Sequence, residues 1–319
     1  MLNWQDIQIF LEVARADRLT DAARRLTIDH STVSRRIRRF EAQLNTQLFE
    51  RSTHGYRLTG AGEQLLLFAE EMARQVTGAS EHISDQNLKV SGQIRIGVTE
   101  GFGTYVITPL LNAFQDRYPE LTIELLALPR AVSLGRHEAD LAITIDRPRN
   151  AEMIVSRLCH YKLQLYGEHG YLNRRGRPQS IESLSDFDLI GYVDDLVFSD
   201  QLCYLDPLLQ GLPTAPRFAL RSTSLITQMH AVLAGTGLAI LPCFMAEQDT
   251  RLEPLLQSEI SISREFWIAA RAEQRQLLRV RLLWQFLKQA IELNQPWLMG
   301  EDNRGLQLPL ALPLEQQER

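Results

Sequence analysis

Apolar residues near the start of the chain recur at spacings of three and four. Ile7, Phe10, Leu11 and Ala14 share one face, so a first helix is expected from Trp4 to about Ala16. Thr20 is placed to cap a short second helix, Asp21 to Leu26, with Ala22, Ala23 and Leu26 inward. After a break at Thr27-Ile28, a third helix begins at Asp29 or His30 and runs to about Leu44, burying Val33, Ile37, Phe40 and Leu44. Two helices joined by a tight turn, the second longer, form a helix-turn-helix pattern. Leu48-Phe49-Glu50 and Tyr56-Arg57-Leu58, around Ser52 to Gly55, read as a small hairpin, a wing. From Ala61 to about Asn87 there is no proline, and Leu65, Phe68, Met72, Val76, Ala79 and Ile83 form a stripe along one long helix. With no partner in its own domain, that stripe is expected to bury against a second chain; packing on the body of the same chain is the alternative.

Ser91-Gly92 then makes a hinge, beyond which strands and helices alternate. Gln93 to Val98, "LTIELLA", "LAITI", "YKLQLYG", "DLIGYV", "RFALRS", "GLAILP" and Phe266 to Ala270 read as strands. Helices are expected before Pro119, over Ser224 to Ala234 and over Arg275 to Leu293. This is the signature of doubly wound sheets, and the length fits two α/β units of ~100 residues each.

Charge placement alters the picture more than total charge does. The 319 residues are 45% hydrophobic and 23% charged, with net charge -5. Residues 1–58, however, hold ten Arg and no Lys against seven acids, a basic module on an acidic body. No apolar run approaches the roughly 18 residues of a membrane span, and acids interrupt the N-terminal apolar stretch, so no membrane association and a cytoplasmic location are expected. Cys159, Cys203 and Cys243 are odd in number and widely spaced, which indicates neither a disulfide framework nor a metal site. His137, His160, His169 and His230 have no metal-ligand spacing, and no catalytic or nucleotide motif occurs; no enzyme activity, metal or cofactor is expected.

With Val33, Ile37, Phe40 and Leu44 inward, helical geometry turns Ser31, Arg35 and Arg38 outward, with Thr32 and Arg39 on the flank and Ser34 on the other side. Arginine pairs bidentately with guanine edges or phosphates, and small hydroxyls permit close approach. A solvated face whose arginines pair with nearby acids is the plainer alternative. Helix-turn-helix spacing, wing and local charge together favour DNA.

These residues resemble the LysR-type transcriptional regulators, over about Leu2 to Leu293. The resemblance is carried by Ala22-Ala23, Leu26, Val33-Ser34, Ile37, Phe40-Glu41, Leu48-Phe49 with Arg51, and Leu58-Thr59-Gly60-Ala61-Gly62. "SGQIRIGV", "FQDRYPEL", "EADLAI" and "AGTGLAILP" resemble landmarks of the family's effector domain. The turn departs from the family: Asp29-His30-Ser31 replaces its usual Ser-Gln, which bears on base preference. The resemblance implies an all-α winged helix-turn-helix over 1–60, a linker and dimerisation helix over 61–90, and an effector domain over 91–293. That domain is expected to contain two doubly wound subdomains like those of type 2 periplasmic binding proteins. Subdomain I is placed at about 91–160 and 267–293 and subdomain II at about 161–266, with crossovers near Cys159 to Tyr166 and Arg264 to Ala270. DNA contacts are expected from His30, Ser31, Thr32, Ser34, Arg35, Arg38, Arg39, Thr53 and Arg57. Expected partners are double-stranded DNA, a small-molecule effector, further copies of the chain in a dimer or tetramer, and RNA polymerase.

Ligands of such folds lie between subdomains, at strand C-termini and helix N-termini. Thr99, Glu100, Gly101 and Phe102, then Asp146 and Arg147, then Tyr192, then Ser222, Thr223 and Ser224, are therefore expected to line one cleft. Its hydroxyls favour a small carboxylate-like effector, whereas Glu100 and Asp146 would repel one, so the effector's chemistry stays open. Thr99 and Ser224 have helix capping as their alternative role, and Tyr192 has the core. Residues 294–319 lie outside the resemblance. Pro296, Pro309 and Pro313 suggest an extended or partly disordered tail, yet "LQLPLALPL" is apolar enough to lie on the body or on a partner chain. The two-lobed region alone would also fit a solute-binding protein without a nucleic-acid role, in which the basic module would have no use.

Overall fold

The computed structural model describes residues 3–14, 16, 19–52, 55–83, 90–128, 139–210, 212 and 214–309. They fall into two compact units, 1–88 and 89–319. In the first, α1 (Trp4–Ala14), α2 (Leu19–Leu26) and α3 (His30–Leu44) enclose Ile7, Phe10, Ala22, Ala23, Val33, Ile37 and Phe40. Two ends differ from the sequence expectation. Ala16 is not helical, and α2 already includes Leu19, so Thr20 lies inside the helix and does not cap it. Leu19 packs on the core, and extending the helix back to it buries that contact. The turn forms as expected at Thr27-Ile28: Thr27 takes a left-handed conformation (φ 55°) and the Ile28 N–H donates to the Ala23 carbonyl. Asp29 stands at the N-cap of α3, but its side chain accepts no capping hydrogen bond.

Asn45, also left-handed, closes α3. Glu41 Oε1 then accepts from the Leu48 and Phe49 N–H groups (2.9 and 3.0 Å), which fixes β1 (Phe49–Ser52) against the end of the helix. β1 pairs antiparallel with β2 (Gly55–Leu58), and Phe49 packs on Phe10 and Tyr56. Thr59 caps α4 (Gly60–Ile83): its Oγ1 accepts from the Gly62 N–H and donates to the Gln47 carbonyl. A Cβ at Gly62 would lie 2.1 Å from the Leu48 carbonyl oxygen, so this backbone crossing requires glycine. Leu65 was expected on a free stripe, but with Leu66, Ala69 and Ala73 it packs on the core of this unit. Leu67, Phe68, Met72 and Val76 stay outside, 57%, 71%, 41% and 46% exposed. The side chains of Ala79 and Ile83 lie outside the described residues.

The second unit has two lobes. In lobe I, β3 (Gly92–Thr99) pairs in parallel with β4 (Leu121–Leu128) and with β5 (Leu141–Thr144). α5 (Glu100–Phe102), a π-helical turn (Gly103–Ile107) and α6 (Thr108–Arg117) run on as one helix, the one expected before Pro119. Lobe II holds α7 (His169–Arg175), β7 (Asp188–Gly191), α8 (Leu205–Leu209), β8 (Arg217–Arg221) and α9 (Leu225–Leu233), followed by β9 (Ala239–Pro242), α10 (Cys243–Ala246) and β10 (Leu252–Leu255). β7 pairs in parallel with β8 and meets β9 through Leu189 and Leu238.

Two long strands join the lobes. β6 (Met153–Glu168) and β11 (Ile262–Arg271) pair antiparallel along their length, with a bulge at Phe266/Trp267. β11 also pairs with β5 in lobe I, while β6 continues between β9 and β10 in lobe II. Sequence patterning found only the second half of β6, because Arg157 and His160 interrupt the apolar run where the strand changes lobe. One seven-stranded mixed sheet therefore runs through both lobes in the order β10-β6-β11-β5-β3-β4, with β9 also on β6, while β7 and β8 form a separate parallel pair.

α11 (Ala272–Gln276) and α12 (Leu278–Leu293) return to lobe I. The tail then corrects a sequence expectation. Gln295–Leu298 forms a further helical turn, α13, with Trp297 and Leu298 buried and Trp297 against Phe244. Gln295 pairs with both backbone groups of His160, and Asn294 bonds to Gln307 N and O, so the chain from 294 to 309 is docked on the body. Trp297 supplies enough buried apolar area to order a segment whose prolines suggested otherwise. Residues 310–319 lie outside the described residues.

Candidate functional site

The outward face of α3 is arginine-rich and unpaired. His30, Ser31, Arg35, Arg38 and Arg39 are exposed, Thr32 and Ser34 are half-buried, and the inward positions Val33, Ile37 and Phe40 are closed off. Among the described residues Arg35, Arg38 and Arg39 engage no carboxylate. Arg36, one step round the helix, donates to Gln5 Oε1 (3.1 Å) and lies 3.8 Å from Asp6. Arg57 is exposed on β2, next to Tyr56, which is partly buried against Phe49. Thr53 lies outside the described residues. The solvated-face alternative required acids beside these arginines; the acids near α3 instead meet Arg24, Arg25 and Arg36.

Between the lobes, where the C-termini of β3, β7 and β9 meet, is a cavity of about 40 Å³, room for little more than a water molecule. Thr99, Glu100, Gly101, Phe102, Tyr192 and Thr223 line it, as sequence predicts. Asp146 and Arg147 do not; they line an adjoining open groove of about 950 Å³, where Arg147 sits over the Trp267 ring, 5.2 Å from its centroid. Ser222 and Ser224 are used locally. Ser222 Oγ accepts from the Ser224 N–H, and Ser224 Oγ accepts from Thr227 N–H while donating to Glu100 Oε1 at 3.1 Å. The strand β5 turns at Ile145, pointing the next two residues away from the cavity, and the start of α9 consumes the serine hydroxyls as caps.

Sequence reasoning missed the cavity's aromatic wall. Phe266 stacks between Phe102 (centroids 4.0 Å) and Tyr161 (4.5 Å), and Phe244 lies edge-on to both Phe102 and Tyr161. Tyr204 packs on Tyr192, and Phe198 closes the rim from the loop after β7. On strands and loops such residues carry only the signal of core. Burial holds the Tyr161, Tyr192 and Tyr204 hydroxyls well above their usual range, with Glu100 adding to the effect at Tyr192, so all three are neutral hydrogen-bonding groups.

The three cysteines are free thiols. Cys159 and Cys243 are buried, and burial pushes both thiols up, Cys243 to about 12. Cys203 is raised by burial and then by Asp206, Asp200 and Asp194. None has the depressed thiol pKa of a reactive cysteine. Among the described residues no histidine, cysteine and acid cluster could hold a metal, and no helix is long and apolar enough to cross a membrane.

A compact basic helix-turn-helix unit joined to a two-lobed α/β unit with a cleft defines an effector-controlled DNA-binding regulator. The chain belongs to the LysR family of transcriptional regulators. Residues 4–63 match the bacterial regulatory helix-turn-helix of the lysR family, and residues 88–292 match the LysR substrate binding domain. It is similar to the HTH-type transcriptional regulator PtxR of Pseudomonas aeruginosa, 28% identical over 250 residues (78% of this chain, 79% of PtxR). It is similar also to CrgA of Neisseria meningitidis, 24% identical over 298 residues (92% and 98%). The solved CrgA structure aligns with a TM-score of 0.56 at 22% identity over 91% of this chain and 99% of CrgA. A full-length OxyR variant from Pseudomonas aeruginosa aligns at 0.64 and 21% identity over 92% and 98%. These relatives are named as regulators, and the chain is a regulator and not an enzyme. The match of its first unit sets aside a solute-binding protein without a nucleic-acid role.

Proposed function

We propose that α3 reads DNA in the major groove through Arg35 and Arg38. His30, Ser31 and Thr32 lie at its leading end, Ser34 and Arg39 contact phosphates, and the wing, with Thr53 and Arg57, reaches the neighbouring groove. The observation that carries this is the unequal treatment of neighbouring arginines: Arg36 is tied inward, whereas Arg35, Arg38 and Arg39 are exposed and, among the described residues, engage no carboxylate. The exposed residues Phe68, Met72 and Val76 of α4, continued toward Ala79 and Ile83, pair two chains, which presents two recognition helices to one operator. A small molecule bound in the inter-lobe cavity shifts the geometry of that assembly on DNA, in the cytoplasm. The division of labour is then 1–60 for DNA, 61–90 for dimerisation and 91–293 for the effector.

A footprint on DNA flanking the protein's own gene tests the recognition surface, comparing the parent with an Arg35→Ala, Arg38→Ala double mutant at two salt concentrations. A discrete protected region, weakening steeply with salt and lost in the mutant, is expected. Protection that survives the double substitution would remove α3 from base recognition.

A further inference from the structure

The lining of the inter-lobe cavity narrows the chemistry of its ligand, on the premise that this cavity is the effector site. Its walls are aromatic rings: the Phe102, Phe266, Tyr161 stack, Phe244 at its edge, and Tyr192 with Tyr204 from lobe II. One carboxylate stands among them. Glu100 Oε1 accepts from Ser224 Oγ, but Oε2 is buried and hydrogen-bonds to nothing. The buried Tyr204 hydroxyl makes no hydrogen bond of standard geometry either, its neighbour being Tyr192. Among the described residues no Lys, Arg or His lines the cavity. Arg147 and Arg264 lie in the adjoining groove, where Arg147 sits over Trp267 and Arg264 donates to the Gln201 and Ser263 carbonyls.

A buried carboxylate oxygen without a donor is unfavourable, and the donor it lacks is one that a ligand can bring. Aromatic faces around a single carboxylate attract positive charge through the ring quadrupoles, and the carboxylate adds a charge-assisted acceptor. An anionic ligand would meet Glu100 at close range, whereas the nearest bases, Arg147 and Arg264, stand outside the lining in the adjoining groove. We infer that the effector is a small organic cation, a protonated amine on an apolar or aromatic body, whose N–H donates to Glu100 Oε2. The Ser222 and Ser224 hydroxyls are engaged as turn and cap, so the hydroxyls left to the ligand are the neutral ones of Thr99, Thr223, Tyr192 and Tyr204.

The test is calorimetric titration of the full-length protein with matched probes, phenethylammonium against phenylacetate and n-butylammonium against pentanoate. Each ammonium should bind about tenfold or more tightly than its carboxylate counterpart. Glu100→Gln, which keeps the side chain's size and its Ser224 contact, should abolish that preference while leaving the circular dichroism spectrum unchanged. Carboxylates that bind as well or better overturn the cation; if Glu100→Gln then alters their affinity, the cleft stands as the effector site. Ammonium binding that is indifferent to Glu100→Gln overturns the inference by placing the ligand elsewhere. If no probe binds, the cation class falls. If Glu100→Gln and Thr223→Trp also leave the DNA footprint unaltered, the cleft falls with it.

Discussion

At Gly62 there is no room for a methyl group: a Cβ would sit 2.1 Å from the Leu48 carbonyl oxygen, backbone that α4 and the wing hold jointly. Gly62→Ala should cost about 2–3 kcal/mol in denaturant unfolding of the first unit, as backbone overpacking does. Gly60, two residues earlier, has nothing within 4 Å of a Cβ, and Gly60→Ala should be close to neutral in the same experiment. Glu247 in lobe II makes a contrasting case. Tyr166 donates to its Oε1, its Oε2 is buried without a partner, and burial raises its pKa. A carboxyl raised in the folded state destabilises that state above the raised pKa. The penalty is relieved as pH falls through it toward the unfolded value of roughly 4.3. Glu247→Gln should therefore melt higher than the parent at about pH 8, and the difference should shrink as pH falls to about 5. A constant difference across that range would mean the carboxylate is not the source.

Elements differ in how far their sequence announced them. α1, α3 and the exposed run of α4 were legible because each presents one face to one surroundings, so periodicity alone fixes orientation. β6 was half legible, since its residues are buried by lobe I first and lobe II afterwards, and no single alternation describes both. The cleft was legible in its loop ends, Thr99 to Phe102, Tyr192 and Thr223. It was hidden in its walls, where Tyr161, Tyr204 and Phe266 are indistinguishable from core until the lobes are brought together. Two element-level outcomes follow. Thr27 holds a left-handed conformation that a β-branched residue adopts at a cost, so Thr27→Gly should stabilise the first unit by about 1 kcal/mol in thermal unfolding. A Phe68→Asp, Met72→Asp pair places charges on the exposed face of α4 and should shift sedimentation of the full chain to a slower species without loss of helix content. Unchanged sedimentation would take that face out of the assembly.

On the scale of the whole chain, the tail as far as residue 309 is part of the folded body. Trp297 is buried against Phe244, and Gln295 grips the backbone of the crossover strand at His160. Trp297→Ala should cost about 3–5 kcal/mol, seen as a lowered melting temperature. The lobes are held by two strands that neither lobe owns, and between them lies a cavity of about 40 Å³ beside the open groove at Arg147. If the effector binds in that cavity, as proposed above, a molecule of more than a few atoms requires its walls to part. Entry is then timed by the protein and not by collision, so the observed association rate should level off with ligand concentration in a stopped-flow trace. If the cavity is the effector site, such a regulator would average over its surroundings, and a brief pulse of effector would pass unrecorded.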